Sequence, residues 1–152
     1  MSLLRLKALY QTVILENAQA PHHFGTLPNA KTVTLHNPTC GDEINVQMLI
    51  KDDVIDQIMF TGSGCTISQA SASIMTDVLK GQTVTEAQKR LTDFSDLITG
   101  DSLNDADQHA LGDAAVLATV AEFPTRIKCA TLAWHAADQL LTMGDDADDK
   151  TK

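Results

Sequence analysis

Three segments in the first half of the chain carry the apolar alternation of β-strands, and short connections join them. The pattern covers residues 31–37, 43–51 and 54–62. Only Asp52 and Asp53 separate the second segment from the third, and a connection of two residues joins antiparallel neighbours. The sequence therefore predicts a three-stranded antiparallel sheet.

Helical patterns lie on both sides of these strands. In residues 3–18, apolar residues recur at spacings of three and four, and a second helical segment, 65–81, ends at a glycine. Further helices are predicted from about Thr83 to Leu97, over 110–123 and over 125–142, with residues 100–108 as a loop containing at most one helical turn. Because strands and helices are segregated along the chain, an α+β fold is predicted, with helices packed on one face of the sheet.

The length of 152 residues is sufficient for one domain with a hydrophobic core. We predict a single domain over residues 1–143. Residues 144–152 are acidic and carry no apolar pattern, so they are predicted to form a flexible tail.

The charge balance excludes several classes of partner. The chain has 11 Lys and Arg against 20 Asp and Glu, which gives a net charge of −9 and a pI near 4.7. Nucleic acid binding depends on clustered basic residues, so no nucleic acid partner is predicted.

No apolar run reaches the roughly 18 residues of a membrane span. The first residues, MSLLRLKALYQ, lack the pattern of a signal peptide, so a cytoplasmic location is predicted.

Three cysteines fall at or near the ends of predicted elements. Cys40 lies in the turn between the first two strands, Cys65 follows Gly64 where a strand gives way to a helix, and Cys129 lies near the start of the last helix. An odd number of cysteines without a secretion signal does not predict a disulfide framework. Ends of elements are places where distant segments converge on a site.

The residues around these cysteines suggest a metal site. Asp42 follows Cys40 by two positions, so both side chains face the same side of an extended segment. A thiolate of Cys65 at a helix start interacts favourably with the helix dipole. Three thiolates and one carboxylate complete a tetrahedral zinc site. The spacing is not of the C-x-x-C type, so free buried cysteines without a metal are an open alternative.

Three stretches carry a resemblance to a known family. These are NPTCGD (37–42), GSGCTISQASASIM (62–75) and RIKCATLAW (126–134). In this order they resemble the U-type iron–sulfur cluster assembly proteins, the IscU/NifU N-terminal family, over nearly the whole chain to about residue 142. The segment 82–102 is similar to the insertion of the SufU branch, and Lys128 stands where the scaffold branch has a histidine. The proline-rich stretch of the scaffold branch is also degraded here.

The resemblance to SufU implies a zinc-dependent sulfurtransferase. It implies one zinc ion bound by Cys40, Asp42, Cys65 and Cys129. The implied partners are a PLP-dependent cysteine desulfurase of the SufS type and downstream SUF assembly proteins. A histidine of the desulfurase is expected to replace Cys40 on the zinc, which frees Cys40 to accept the persulfide sulfur as the catalytic residue.

Two rival functions follow from the same residues. One is a scaffold that holds a transient [2Fe–2S] cluster on the three cysteines. The other is a small domain with a structural zinc ion, which is normally closed and inert.

The other polar residues carry weaker predictions. Arg126 precedes Cys129 by three positions, so it either steadies the charge of the thiolate or lies solvated on the surface. Lys128 is interpreted as a surface residue. The histidines are interpreted as polar surface or structural residues and Trp134 as part of the core; the histidines are His22, His23, His36, His109 and His135.

Overall fold

The computed structural model describes residues 3–38, 41–100, 103–122 and 124–143. Within these ranges the chain forms five α-helices, one 3₁₀-helix and three strands. In chain order the elements are α1 (Leu3–Gln19), β1 (Lys31–Asn37), β2 (Asp42–Lys51), β3 (Val54–Ser63), α2 (Thr66–Leu79), α3 (Val84–Ile98), α4 (Asp105–Leu111), the 3₁₀-helix (Gly112–Glu122) and α5 (Pro124–Met143).

The sheet has the predicted three antiparallel strands, in the order β1-β2-β3. The connection from β2 to β3 consists of Asp52 and Asp53, whose φ angles are 53° and 62°. Positive φ at both central residues is typical of the turn that joins two-residue hairpins, and Asp tolerates it better than most residues do. The predicted hairpin is therefore confirmed.

Helices cover one face of this sheet. Along β2, the buried side chains of Ile44, Val46 and Met48 alternate with half-buried ones, and they face the helical layer. Helix α5 packs on β1 and β2, while α2 packs on β3 and on α5. The predicted α+β architecture, with helices on a single face, is confirmed.

Small side chains let α2 and α5 approach closely. The Ser71 hydroxyl of α2 donates a hydrogen bond to the carbonyl oxygen of Ala130 in α5. The Trp134 indole N–H donates to the Ser71 oxygen at 2.8 Å, and its ring stacks on Phe94 at 3.8 Å between centroids. Trp134 is 3% exposed, so its predicted place in the core is confirmed.

The prediction of a loop over residues 100–108 was partly wrong. The structure has a helix of two turns, α4, where a loop was predicted. Asn104 caps this helix by accepting a hydrogen bond from the Asp107 N–H at 2.8 Å. Gly112, with a φ of 55°, ends α4 and begins the 3₁₀-helix. The sequence signal for α4 is the capping residue Asn104, which lies in a polar stretch that has no apolar periodicity.

One prediction concerns residues beyond these ranges. The predicted tail, residues 144–152, lies outside the described residues, so the domain boundary stays a prediction. In the part of the chain that the structure describes, no helix is long and apolar enough to cross a membrane.

Candidate metal centre

Asp42 reaches the site from the first position of β2. In the register of the sheet it lies opposite Asn37, the last residue of β1. Residues directly opposite in an antiparallel pair project to the same face. Both side chains point into the helical layer, and Asp42 is only 1% exposed. A carboxylate is thus buried at the end of the sheet where β1 stops.

Cys65 reaches the same place from the junction of β3 and α2. It is the N-cap residue of α2, with extended backbone angles, and its sulfur accepts a hydrogen bond from the Ser68 N–H at 3.5 Å. Its own backbone N–H donates to Asp42 Oδ1 at 2.8 Å. The predicted helix start is therefore confirmed, with Cys65 one position outside the first turn.

Cys129 comes from the second turn of α5 and is fully buried. The sulfur receives a hydrogen bond from the Asn37 side-chain amide at 3.8 Å. The same amide nitrogen donates to Asp42 Oδ2 at 3.4 Å. Because α5 lies across β1 and β2, its second turn ends up above the start of β2.

The three side chains present one ligand atom each within 4.8 Å of one another. Tetrahedral zinc with Zn–S bonds of about 2.3 Å spaces its ligand atoms by roughly 3.5–3.8 Å. Among the side chains that the structure describes, no Lys, Arg or His forms an ion pair with Asp42. A buried carboxylate beside two sulfurs, with no countercharge among the described side chains, has the donor chemistry that fits a bound cation.

Gly64 leaves the space that the Asp42 carboxylate fills. A Cβ atom at Gly64 would lie 2.2 Å from Asp42 Oδ1, far inside contact distance. The φ of Gly64, +151°, is also one that residues with side chains rarely adopt. The glycine before Cys65 therefore determines whether the carboxylate can reach the sulfurs.

Cys40, the fourth predicted ligand, lies outside the described residues. Its role as a ligand and as the sulfur acceptor stays a prediction. Arg126 and Lys128 are exposed on α5. No histidine in the described parts joins the group of Asp42, Cys65 and Cys129.

Two histidines make contacts that the sequence did not reveal. His22 pairs through Nδ1 with the Asp77 carboxylate, and its backbone N–H donates to Ser73 Oγ at 2.8 Å. His23 Nδ1 lies 2.8 Å from Thr76 Oγ1. Both residues thus fasten the loop after α1 to α2. Their partners are more than fifty residues away in the chain, so no local pattern predicts these contacts.

The partial burial of His23 leads us to expect that stability depends on pH. Burial lowers the pKa of His23 below its ordinary 6.5, against the opposing attraction of Asp77. The unfolded chain then binds a proton at a higher pH than the folded chain does, so the free energy of unfolding should fall as the pH drops below 6.5. We expect a smaller fall in His23→Asn, because Asn does not titrate and tolerates the φ of 55°. Urea unfolding between pH 7.5 and 5 measures the free energy of unfolding of the unmodified protein and of the variant. If this free energy falls equally with pH in the two proteins, His23 is not the source of the pH dependence.

A family model for the NifU-like N terminal domain matches residues 9–130. The chain belongs to this family. The match includes all four predicted ligand positions. Membership of the IscU/SufU family, which the three cysteine stretches predicted, is confirmed.

Members of the NifU-like family that resemble this chain carry two different names. The iron–sulfur cluster assembly scaffold protein IscU of Streptococcus pyogenes is 44% identical, over 97% of this chain and 91% of its own. The zinc-dependent sulfurtransferase SufU of Bacillus subtilis is 40% identical, over 88% and 90%. The crystal structure of a putative scaffold protein for the SUF system from Fervidobacterium islandicum superimposes with a TM-score of 0.81 at 29% identity, over 88% and 97%.

Proposed function

We propose that this protein acts in iron–sulfur cluster assembly as a zinc-dependent sulfurtransferase. The observation that carries the proposal is the convergence of Asp42, Cys65 and Cys129 from three separate elements. Cys40, two positions before Asp42, is proposed as the fourth ligand and as the catalytic residue. A relative with 40% identity bears the name of this activity.

The four proposed ligands suit zinc. When bound, zinc keeps thiolates deprotonated and supplies no redox chemistry of its own. Cys65 is held by the cap of α2, Cys129 by the middle of a buried turn, and Asp42 by two hydrogen bonds. The surrounding structure therefore fixes the positions of these three proposed ligands. Cys40 differs from them in its sequence context, because it follows Pro38 by two positions and directly precedes Gly41.

The proposed reaction is a sulfur transfer from a PLP-dependent cysteine desulfurase of the SufS type. The Cys40 thiolate attacks the outer sulfur of the persulfide on the desulfurase. A new S–S bond forms on Cys40, the old S–S bond breaks, and the desulfurase cysteine leaves as a thiolate. No external oxidant is needed, because Cys40 is oxidised from thiolate to persulfide as the desulfurase persulfide is reduced to a thiolate. Downstream SUF assembly proteins are the proposed recipients, and a cytoplasmic location stays a prediction.

A scaffold function for a transient [2Fe–2S] cluster is the second candidate. The relative from Streptococcus pyogenes favours it, because that protein is named as a scaffold and its match covers 97% of this chain. Most of the segment 82–102 therefore falls within that match, so this insertion does not separate the two functions. Lys128 favours the sulfurtransferase, since this exposed lysine stands where the scaffold branch was expected to carry a histidine.

The first experiment measures sulfide release from cysteine by a SufS-type desulfurase in the presence of a thiol reductant. We expect the zinc-loaded protein to accelerate release strongly, and we expect the acceleration to vanish after removal of zinc by a chelator. Readdition of zinc is the control and should restore it. No acceleration, with an iron–sulfur absorption band after anaerobic reconstitution, would favour the scaffold function instead.

A further inference from the structure

The side chain of Asn37 lies between two of the proposed metal ligands. It is 5% exposed, at the last position of β1. Its Nδ2 atom is 3.4 Å from Asp42 Oδ2 and 3.8 Å from Cys129 Sγ. One buried amide thus contacts ligand atoms that come from a strand and from a helix.

The chemistry of the neighbours determines how this amide is oriented. A carboxylate oxygen and a thiolate sulfur are acceptors, so the NH₂ end of the amide faces them and its carbonyl end points away. Each N–H bond places partial positive charge beside a negatively charged ligand. Hydrogen bonds to charged acceptors are stronger than those between neutral groups.

Backbone hydrogen bonds hold Asn37 in the sheet. Asn37 pairs in register with Asp42, and its carbonyl oxygen accepts a hydrogen bond from the Gly41 N–H at 2.8 Å. The amide is therefore anchored to the same strand pair that carries the carboxylate. Its contact with Cys129 links this strand pair to α5.

We propose that Asn37 is a positioning residue of the metal centre. Its amide holds the Asp42 carboxylate and the Cys129 sulfur at a fixed separation and reduces the repulsion between them before an ion binds. The inference rests on the proposed metal site and deepens it. Asn37 touches ligands and not the ion, so it acts through Asp42 and Cys129.

Removal of the donor should weaken metal binding without removing a ligand. Loss of hydrogen-bonding partners around a metal site typically lowers affinity by about 10–100-fold. Asn37→Leu has nearly the same shape but no donor, so the two ligands lose their common partner. We expect a loss of affinity in this range and a distorted arrangement of ligands.

Co²⁺ is a suitable probe, because thiolate ligation and tetrahedral geometry give it characteristic absorption bands. Titration against a competing chelator would give the affinity, and the visible bands would report the geometry. Asn37→Leu should bind Co²⁺ about 10–100-fold more weakly than the unmodified protein, with shifted bands. Asn45→Leu is the matched control, because Asn45 donates to Thr61 Oγ1 at 3.1 Å on the neighbouring strand, and among the described ligands its side chain bonds to none of Asp42, Cys65 and Cys129. It should leave affinity and bands unchanged.

Three results would contradict the inference, and they are distinguishable. If Asn37→Leu keeps the affinity and the bands of the unmodified protein, the positioning role is wrong while the metal centre stands. If the unmodified protein itself gives no thiolate–cobalt bands, the proposed metal centre fails first. Circular dichroism monitors folding, and Asn37→Ser provides a smaller polar variant whose hydroxyl cannot span both ligands. Unfolding of both variants would make Asn37 a determinant of the fold, which also overturns the positioning role.

Discussion

The Gly64→Ala variant should lose most of its metal affinity together with part of its stability. The new Cβ would lie 2.2 Å from Asp42 Oδ1 and 2.9 Å from Ser68 Oγ, so the carboxylate must move away from the sulfurs. The backbone at this position, with a φ of +151°, adds strain for any residue with a side chain. Displacement of a buried carboxylate from its hydrogen bonds and the backbone strain together cost on the order of 3 kcal/mol.

A variant of a second glycine, Gly81, separates the effect of backbone strain from the effect of displacing the Asp42 carboxylate. Gly81 has a φ of +81°, and a Cβ there would meet no atom within 4 Å. Gly81→Ala should therefore lower the free energy of unfolding through backbone strain alone and leave metal affinity unchanged. Denaturant unfolding without metal measures the free energy of unfolding, and competition with a chelator for zinc measures the metal affinity. Equal metal affinities of the two variants would show that Gly64 does not control the position of Asp42.

The strands and their order were predictable because their signals are local. Alternation of apolar residues gave the limits of β1, β2 and β3 to within one residue, and Asp52-Asp53 gave the hairpin. Helix α4 was missed because its signals are a cap at Asn104 and a stop at Gly112, without an apolar periodicity between them.

The sequence singled out individual candidate ligands but not the contacts around them. Cys65 follows Gly64 at the start of a helix and Asp42 follows Cys40 by two positions, and these contexts singled both residues out before their distance was known. The role of Asn37 was not predictable in the same way, since an Asn before Pro is common in turns. Its contact with Cys129 spans 92 positions and depends on how α5 crosses the sheet.

The Cys40→Ala variant is expected to separate metal binding from sulfur transfer. Asp42, Cys65 and Cys129 converge through β2, the start of α2 and α5, and none of these elements contains Cys40. Three ligands should therefore keep zinc bound, with reduced affinity. Without the thiol of Cys40, the protein lacks the proposed acceptor and the thiol reductant must take the sulfur directly, so sulfide release should fall to the rate of the desulfurase alone.

Cys65→Ala is the matched control, since it removes a thiol of the same site that is not the proposed acceptor. It should bind zinc more weakly than Cys40→Ala does and lose sulfur transfer with the zinc, because it removes one of the three ligands that the described elements bring together. Mass spectrometry of the unmodified protein after reaction should find one extra sulfur on Cys40 and none on Cys65 or Cys129. Normal sulfur transfer by Cys40→Ala would assign the acceptor to another thiol, while loss of all zinc from it would make Cys40 indispensable to the site. Either result would contradict the proposed division of roles between Cys40 as the sulfur acceptor and Asp42, Cys65 and Cys129 as the residues that hold the metal.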